Sequence, residues 1–156
     1  MEKVLFIAST GGHLDELLQL KGLFERCDYY IITERTGSTG WLRQAYPGKV
    51  NYLLNVTKHQ PLIYLFGGLF NIVKSLVLYV RLHPRYIIST GTHTAVPMCF
   101  FGHLFGSRII WIETFANVTT RTLAGRLVYP YADLFLVQWE SMKELYPRAE
   151  YGGWIY

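Results

Sequence analysis

VLFIASTGGHLDEL occupies residues 4–17. Five apolar residues, Val4 to Ala8, stand in an unbroken run. Such a run, too short for a typical helix and without polar alternation, reads as a strand buried on both faces. Ser9-Thr10-Gly11-Gly12 breaks it. Leu14, Leu17, Leu18, Leu20 and Phe24 then recur at helical spacing. A strand, a glycine turn and a helix form the opening unit of an α/β fold.

The same alternation continues along the chain. Strand-like runs fall at residues 3–8, 29–33, 50–54, 85–89, 108–112 and 134–137. Helical patterns fall at 13–25, 41–46, 61–82, 94–105, 120–128 and 140–145, with Pro97 near the start of the fourth. A polar loop covers 34–40, and Pro47-Gly48 closes the short helix before it. Regular alternation implies right-handed crossovers and a parallel sheet. The expected fold is α/β: a doubly wound, Rossmann-like parallel sheet in a single domain over residues 1–156. Ligands of such folds bind beyond the carboxyl ends of the strands. Here those ends are residues 9–13, 33–40, 55–59, 89–93 and 113–117, and Gln138.

Composition narrows the partners. Hydrophobic residues make up 51% and charged residues 17%, greasier than an average soluble domain, so a large core or an apolar outer surface is expected. The net charge of +4 suits anionic membranes or phosphorylated ligands. No Lys/Arg block or RNP-like aromatic motif is present, which argues against nucleic acid. Cys27 and Cys99 have no nearby cysteine and no metal-spaced histidine, so reduced thiols in a cytosolic protein are expected. The first apolar run is too short for a signal peptide. His59, His83 and His103 show no ligand spacing, and no metal site is expected.

Three loops carry the suggestive chemistry: Ser9 to His13, Ser89-Thr90-Gly91-Thr92-His93, and Glu113-Thr114-Phe115-Ala116-Asn117. Small residues let a ligand approach backbone N–H groups, and helix starts add donors and positive dipole ends. That suits a phosphate, a diphosphate or a sugar. The pattern matches neither G-x-G-x-x-G nor the P-loop. Close packing of the first helix on the sheet is the structural alternative for Gly11 and Gly12. His13 is either a proton acceptor near a ligand or a helix-start histidine bonded to backbone. Glu113, at the top of a buried strand, needs partners. It binds sugar hydroxyls, acts as a base, or bonds a neighbouring helix start. His93 is a ligand contact or a loop hydrogen-bonding group. Asp15 and Glu16 fall in a first helical turn, where their default role is to complement the dipole.

Residues 61–82, PLIYLFGGLFNIVKSLVLYVRL, are anomalous. As a helix the segment is about 33 Å long, enough to span a bilayer. It must also return the chain between two strands of one sheet, and a spanning helix would break that sheet, so a true transmembrane span is the last of three readings. Gly67, Asn71, Lys74, Ser75 and Arg81 fall near one stripe. The favoured reading is a helix that packs on the sheet and touches lipid at the interface through Leu65, Phe66, Leu69, Phe70 and Val73. A wholly buried core helix is the alternative. Lys58, Arg81, His83 and Arg85 either meet anionic headgroups or form a solvated rim.

Taken together, S-T-G-G-H-L-D-E-L (9–17), S-T-G-T-H (89–93), E-T-F-A-N-V (113–118), G-R-L-V-Y-P-Y-A-D-L-F-L-V-Q-W (125–139) and Y-P-R-A-E-Y-G-G (146–153) resemble a known family. It is the asparagine-linked glycosylation protein fourteen family, most closely its bacterial exopolysaccharide and capsule members of the PssD/CpsF type. The resemblance implies half of a GT-B glycosyltransferase, similar to the acceptor-side half of MurG. It implies a separate donor-binding subunit holding a UDP-sugar, and a polyprenyl-diphosphate-linked sugar as acceptor. It places the protein at the cytoplasmic face of the plasma membrane, peripheral or monotopic. Eukaryotic relatives carry an N-terminal membrane helix that this chain lacks, so residues 61–82 become the candidate membrane contact. Where a two-domain relative crosses to its second domain, residues 151–156 form an aromatic end that docks on the partner or makes an ordinary last strand. Many relatives have an arginine where this chain has Asn117; Arg121 or Arg126 then supplies the cation.

On this reading Gly11, Gly12, Thr90, Gly91, His93 and Asn117 bind the acceptor, His13 is the first choice for general base, and Glu113 is its rival. The reaction inverts the anomeric centre. No cofactor is needed. The alternative function is a non-catalytic membrane recruiter and activator of the partner subunit. A free-standing small-molecule binder is the third reading.

Overall fold

The computed structural model describes residues 1–56 and 61–155. Lys58, His59 and Tyr156 lie outside the described residues. Seven strands form one sheet: β1 (Lys3–Ile7), β2 (Asp28–Arg35), β3 (Val50–Leu54), β4 (Tyr86–Ser89), β5 (Arg108–Ile112), β6 (Leu134–Val137) and β7 (Glu150–Tyr151). Their order is β3-β2-β1-β4-β5-β6-β7, and every neighbouring pair is parallel. The chain winds outward from β1 to β3, then returns to β4 and winds the other way. The reversal between β1 and β4 is the topological switch point, where such sheets open a crevice for ligands. Ile7 is in register with Ser89 there, so the loops after the two strands start side by side.

Helices are α1 (Gly12–Gln19), α2 (Leu42–Ala45), α3 (Pro61–Leu82), α4 (Val96–Leu104), α5 (Leu123–Val128) and α6 (Met142–Leu145). The continuous apolar strands divide their side chains between two cores. Leu5, Ile7, Ile87, Ile109, Trp111 and Phe135 pack with residues of α3, α4, α5 and α6. Phe6, Ala8, Ile31, Ile88 and Ile112 pack with Leu14, Leu17, Phe24 and Leu42. Both sheet faces are thus dry, which explains the absence of polar alternation.

Several details differ from the sequence expectation. The helix expected at 13–25 is α1 followed by a 3₁₀ segment, Leu20–Arg26. The one expected at 94–105 opens with a 3₁₀ turn, His93–Ala95. The one expected at 120–128 starts only at Leu123, because Thr122 is its N-cap and accepts from Gly125 N–H. Two residues near the carboxyl end pair as β7, although most of the terminal aromatic segment is not strand. Cys27 and Cys99 are free thiols; Cys99 is buried, and burial pushes its pKa up to about 12.

The long helix α3 has an inverted amphipathic pattern. Two of its polar members turn inward, Asn71 and Ser75, buried beside Leu78, Tyr79 and Leu82, while Lys74 is half-buried and Arg81 exposed. The Asn71 amide donates to Leu54 O and accepts from Leu54 N–H, both at 2.8 Å, closing the end of edge strand β3. Leu65, Phe66, Leu69, Phe70 and Val73 face outward with 49–66% of their surfaces exposed. A wholly buried helix is therefore excluded. Phe100 and Leu104 on α4, which packs beside α3, and Leu123 and Leu127 on α5, which packs beside α4, are exposed as well. So many exposed large apolar side chains are unusual on a soluble monomer and point to a contact with lipid or another protein.

Candidate functional site

At the switch point the loops after β1, β4 and β5 enclose a cavity of about 270 Å³. His13, Gly91, Thr92, His93, Glu113, Thr114 and Thr122 supply its polar wall, with Tyr64, Trp111, Leu123 and Ala124 apolar beside them. A larger depression of about 420 Å³ opens at the amino ends of β1 and β4, beside His83, Arg85 and Ser107. It lies away from the switch point and the glycine loops, so the smaller cavity is the better candidate.

His13 is held from β4. Its Nδ1 lies 2.8 Å from the Thr90 carbonyl oxygen, and Thr90 Oγ1 donates back to the His13 carbonyl at 2.6 Å. A carbonyl only accepts, so neutral His13 carries its proton on Nδ1. Nε2 keeps the lone pair. Both sequence readings of His13 are therefore compatible: a backbone-bonded histidine whose second nitrogen is free to take a proton. Gly91 permits this fit. Its φ is +104°, and a Cβ there would stand 2.9 Å from His13 Nδ1.

Gly11 and Gly12 are exposed, and a Cβ on either would meet nothing within 4 Å. Close packing of the first helix is therefore not their purpose. Gly11 turns the chain with φ of +82° into α1, whose first N–H groups have no intrahelical partner. Such a start favours an anion.

Glu113 is 2% exposed. Thr122 Oγ1 donates to its carboxylate at 3.0–3.1 Å, and Tyr146 OH donates to Oε2 at 3.1 Å. Burial pushes the Glu113 carboxyl above the usual carboxylate range, while these hydroxyls pull it partly back. Burial and the adjacent carboxylate push Tyr146 up, keeping it a donor. The glutamate thus both lines the cavity and bonds the start of α5. Gly125 makes room for it: a Cβ there would collide with Glu113 Oε2 and approach Thr122 Oγ1 to 2.7 Å and the Tyr146 hydroxyl to 2.8 Å. Gly125→Ala should destabilise the fold by about 2–4 kcal/mol, through overpacking and broken bonds to a buried carboxylate. Thermal melting measures this; an unchanged midpoint contradicts the assigned packing.

Among the other expected site residues, His93 is exposed at the cavity rim, with Nδ1 3.3 Å from Thr92 Oγ1. Thr90 is fully buried and acts through His13 rather than on the cavity wall. Asn117 is turned into its own loop. Its amide donates to Thr120 O and accepts from Thr120 Oγ1 at 2.8 Å, and it is not part of the cavity lining. The Arg121 guanidinium lies over the Tyr146 ring, 5.4 Å from its centroid. Among the described residues, no group of three or more His, Cys, Asp or Glu side chains is arranged to hold a metal ion.

Four groups at the strand ends escaped the sequence reading. Thr122 and Tyr146 hold Glu113 from 9 and 33 residues away. Glu16 reaches across to Thr114 and Phe115. Glu34 is buried with Thr94 donating to it, at the carboxyl end of β2. The capping position of Thr122 was the one local signal available.

A family model, oligosaccharide biosynthesis protein Alg14 like, matches residues 57–155. A UDP-N-acetylglucosamine transferase subunit ALG14 of Rattus norvegicus is 28% identical over 178 residues, covering 97% of this chain and 82% of the relative. The protein of the same name in Yarrowia lipolytica is 41% identical over 76 residues, covering 45% of this chain and 35% of its own length. Among solved structures, Acinetobacter baumannii MurG superposes with a TM-score of 0.73 at 15% identity, over 90% of this chain and 43% of MurG. A UDP-N-acetylglucosamine 2-epimerase gives 0.72 at 17% identity, over 96% of this chain and 46% of the epimerase. At such identities the likeness is one of fold, and the chain spans less than half of either structure. The sequence match over residues 57–155 carries the assignment: this chain belongs to the Alg14 family.

Proposed function

We propose that the chain is the acceptor-binding subunit of a two-component glycosyltransferase. A separate donor-binding subunit holds a UDP-sugar, and a polyprenyl-diphosphate-linked sugar is the acceptor. The names of the relatives favour UDP-N-acetylglucosamine as donor. Those relatives are eukaryotic, so an exopolysaccharide or capsule setting rests on the motif resemblance alone.

One observation carries the reading: the His13–Thr90 bond, which commits Nδ1 of a histidine lining the cavity at the switch point, while among the described residues none bonds its Nε2. The acceptor hydroxyl gives its proton to Nε2 as its oxygen attacks the anomeric carbon from the face opposite UDP. The new C–O bond forms, the bond to the UDP oxygen breaks, and the configuration inverts. Gly11 and Gly12 offer backbone N–H groups to the acceptor diphosphate. Thr90 and Gly91 hold the imidazole, His93 and Glu113 flank the sugar, and Asn117 shapes the neighbouring loop. Orientation of the two substrates contributes several kcal/mol on its own. The outward faces of α3, α4 and α5 lie on the cytoplasmic surface of the membrane, with Leu65, Phe66, Leu69, Phe70 and Val73 in the acyl boundary and exposed Arg81, His83 and Arg85 toward anionic headgroups. A lipid-linked sugar then reaches the cavity without leaving the bilayer.

Reconstitution tests the proposal. The purified chain alone, given UDP-N-acetylglucosamine and a polyprenyl-diphosphate sugar in detergent, should transfer nothing. Adding the donor-binding chain, sought first in the adjacent reading frame, should start turnover. The outward apolar surface also favours a second reading, a recruiter that contributes no chemical group; the His13→Ala variant separates the two.

A further inference from the structure

Glu16 follows His13 by three residues, one turn further along α1. It does not simply face the solvent at the helix start. Its Oε1 accepts from Thr114 Oγ1 at 2.9 Å and from Phe115 N–H at 3.3 Å, across 98 and 99 residues of sequence. Its Oε2 is buried and has no partner among the described residues. Burial raises the Glu16 carboxyl above its ordinary range. A half-buried carboxylate with one unsatisfied oxygen is a poor device for stability. It is a good device for joining two particular pieces of backbone.

Those pieces are the two sides of the cavity. His13 stands on one, and Glu113 with Thr114 on the other. The Glu113–Asn117 loop is gripped from its outer side as well. Trp139 Nε1 donates to Phe115 O at 2.7 Å, and the Phe115 ring packs on Trp139 and Trp154 with centroids 4.8 and 5.3 Å away. Glu16 is the matching grip on the inner side.

We infer that Glu16 is a positioning residue that ties the loop after β5 to α1 and so sets the spacing between His13 and Glu113 around the acceptor sugar. The inference rests on the reading of His13 as the base. Because Oε1 alone does the tying, Glu16→Gln preserves both bonds: the amide carbonyl accepts from the same hydroxyl and the same N–H. Glu16→Ala removes both.

The assembled pair, with UDP-N-acetylglucosamine and a polyprenyl-diphosphate sugar, is assayed with each variant. Glu16→Ala should lower kcat on the order of 10–100-fold, since a misplacement of about 1 Å has effects of that size. Its KM for the UDP-sugar should not move, because the partner holds the donor. Glu16→Gln should restore kcat to within about threefold of the parent. Full kcat in a folded Glu16→Ala pair, or Gln as damaging as Ala, overturns the proposal. Should Glu16→Ala not fold, Thr114→Val removes the shorter tie from the other side and should lower kcat in the same direction. On the isolated chain, the Phe115 amide should exchange faster in Glu16→Ala and at the parent rate in Glu16→Gln; unchanged exchange in Glu16→Ala also overturns the tie. The two readings fail separately. Full turnover by His13→Ala removes the base and leaves the amide exchange to judge Glu16. An inactive His13→Ala beside a fully active Glu16→Ala removes Glu16 alone.

Discussion

His13→Ala, assembled with the donor-binding subunit, should lose turnover by about 10²–10⁴-fold, the usual contribution of a positioned general base. The expectation follows from the two nitrogens being unlike. Nδ1 is committed to the Thr90 carbonyl, so the ring is fixed in one tautomer and one orientation, with Nε2 as the lone-pair atom. Glu113 is a weaker candidate because its carboxylate already accepts from Thr122 and Tyr146. The loss should appear in kcat with little change in donor KM. His13 is half-buried and is not a member of either core cluster, so the variant should stay folded and melt only modestly lower, through the Thr90 carbonyl it leaves unpaired. Undiminished turnover in the assembled His13→Ala pair would assign this chain to recruitment alone.

The second large effect concerns the membrane. Leu69 and Phe70 project outward from the middle of α3 and, among the described residues, belong to neither core cluster. Burying such side chains in the acyl boundary stabilises binding by about 1.5–3 kcal/mol each. The double variant Leu69→Glu/Phe70→Glu loses both terms and adds repulsion from anionic lipid. Its partitioning onto vesicles containing phosphatidylglycerol should fall roughly 100-fold or more. Sedimentation with vesicles measures it, and circular dichroism checks that the fold persists. Parental vesicle binding by a folded double variant would take α3 out of the membrane contact and leave its outer face to a protein partner.

The sheet was legible in the sequence for a physical reason. Both of its faces are buried, so its central strands are written as unbroken apolar runs such as Val4 to Ala8 and Ile109 to Ile112. Each run ends at a glycine, a polar cluster or a helix start, so the ligand-facing loops could be placed as well. The direction in which α3 faces was harder to read. Its polar stripe exists in the sequence, but only the structure shows Asn71 spent on the end of β3 and Ser75 sealed inside. Partners of the site carboxylates were hidden by distance along the chain. Nothing near Glu113 announces Tyr146, and nothing near Glu16 announces Thr114. The short β7 carries too few residues for any periodicity, and the 3₁₀ segment after α1 has the same apolar spacing as the helix it continues.

A chain that is one half of a catalyst works only when the other half is supplied. The direct measurement is sugar transfer from radiolabelled UDP-N-acetylglucosamine to a polyprenyl-diphosphate-linked sugar, with the purified chain first alone and then with its donor-binding partner added. No product without the partner, and steady turnover that saturates as the two chains reach a fixed ratio, is the predicted result. Multiple turnovers by the purified chain alone would contradict it.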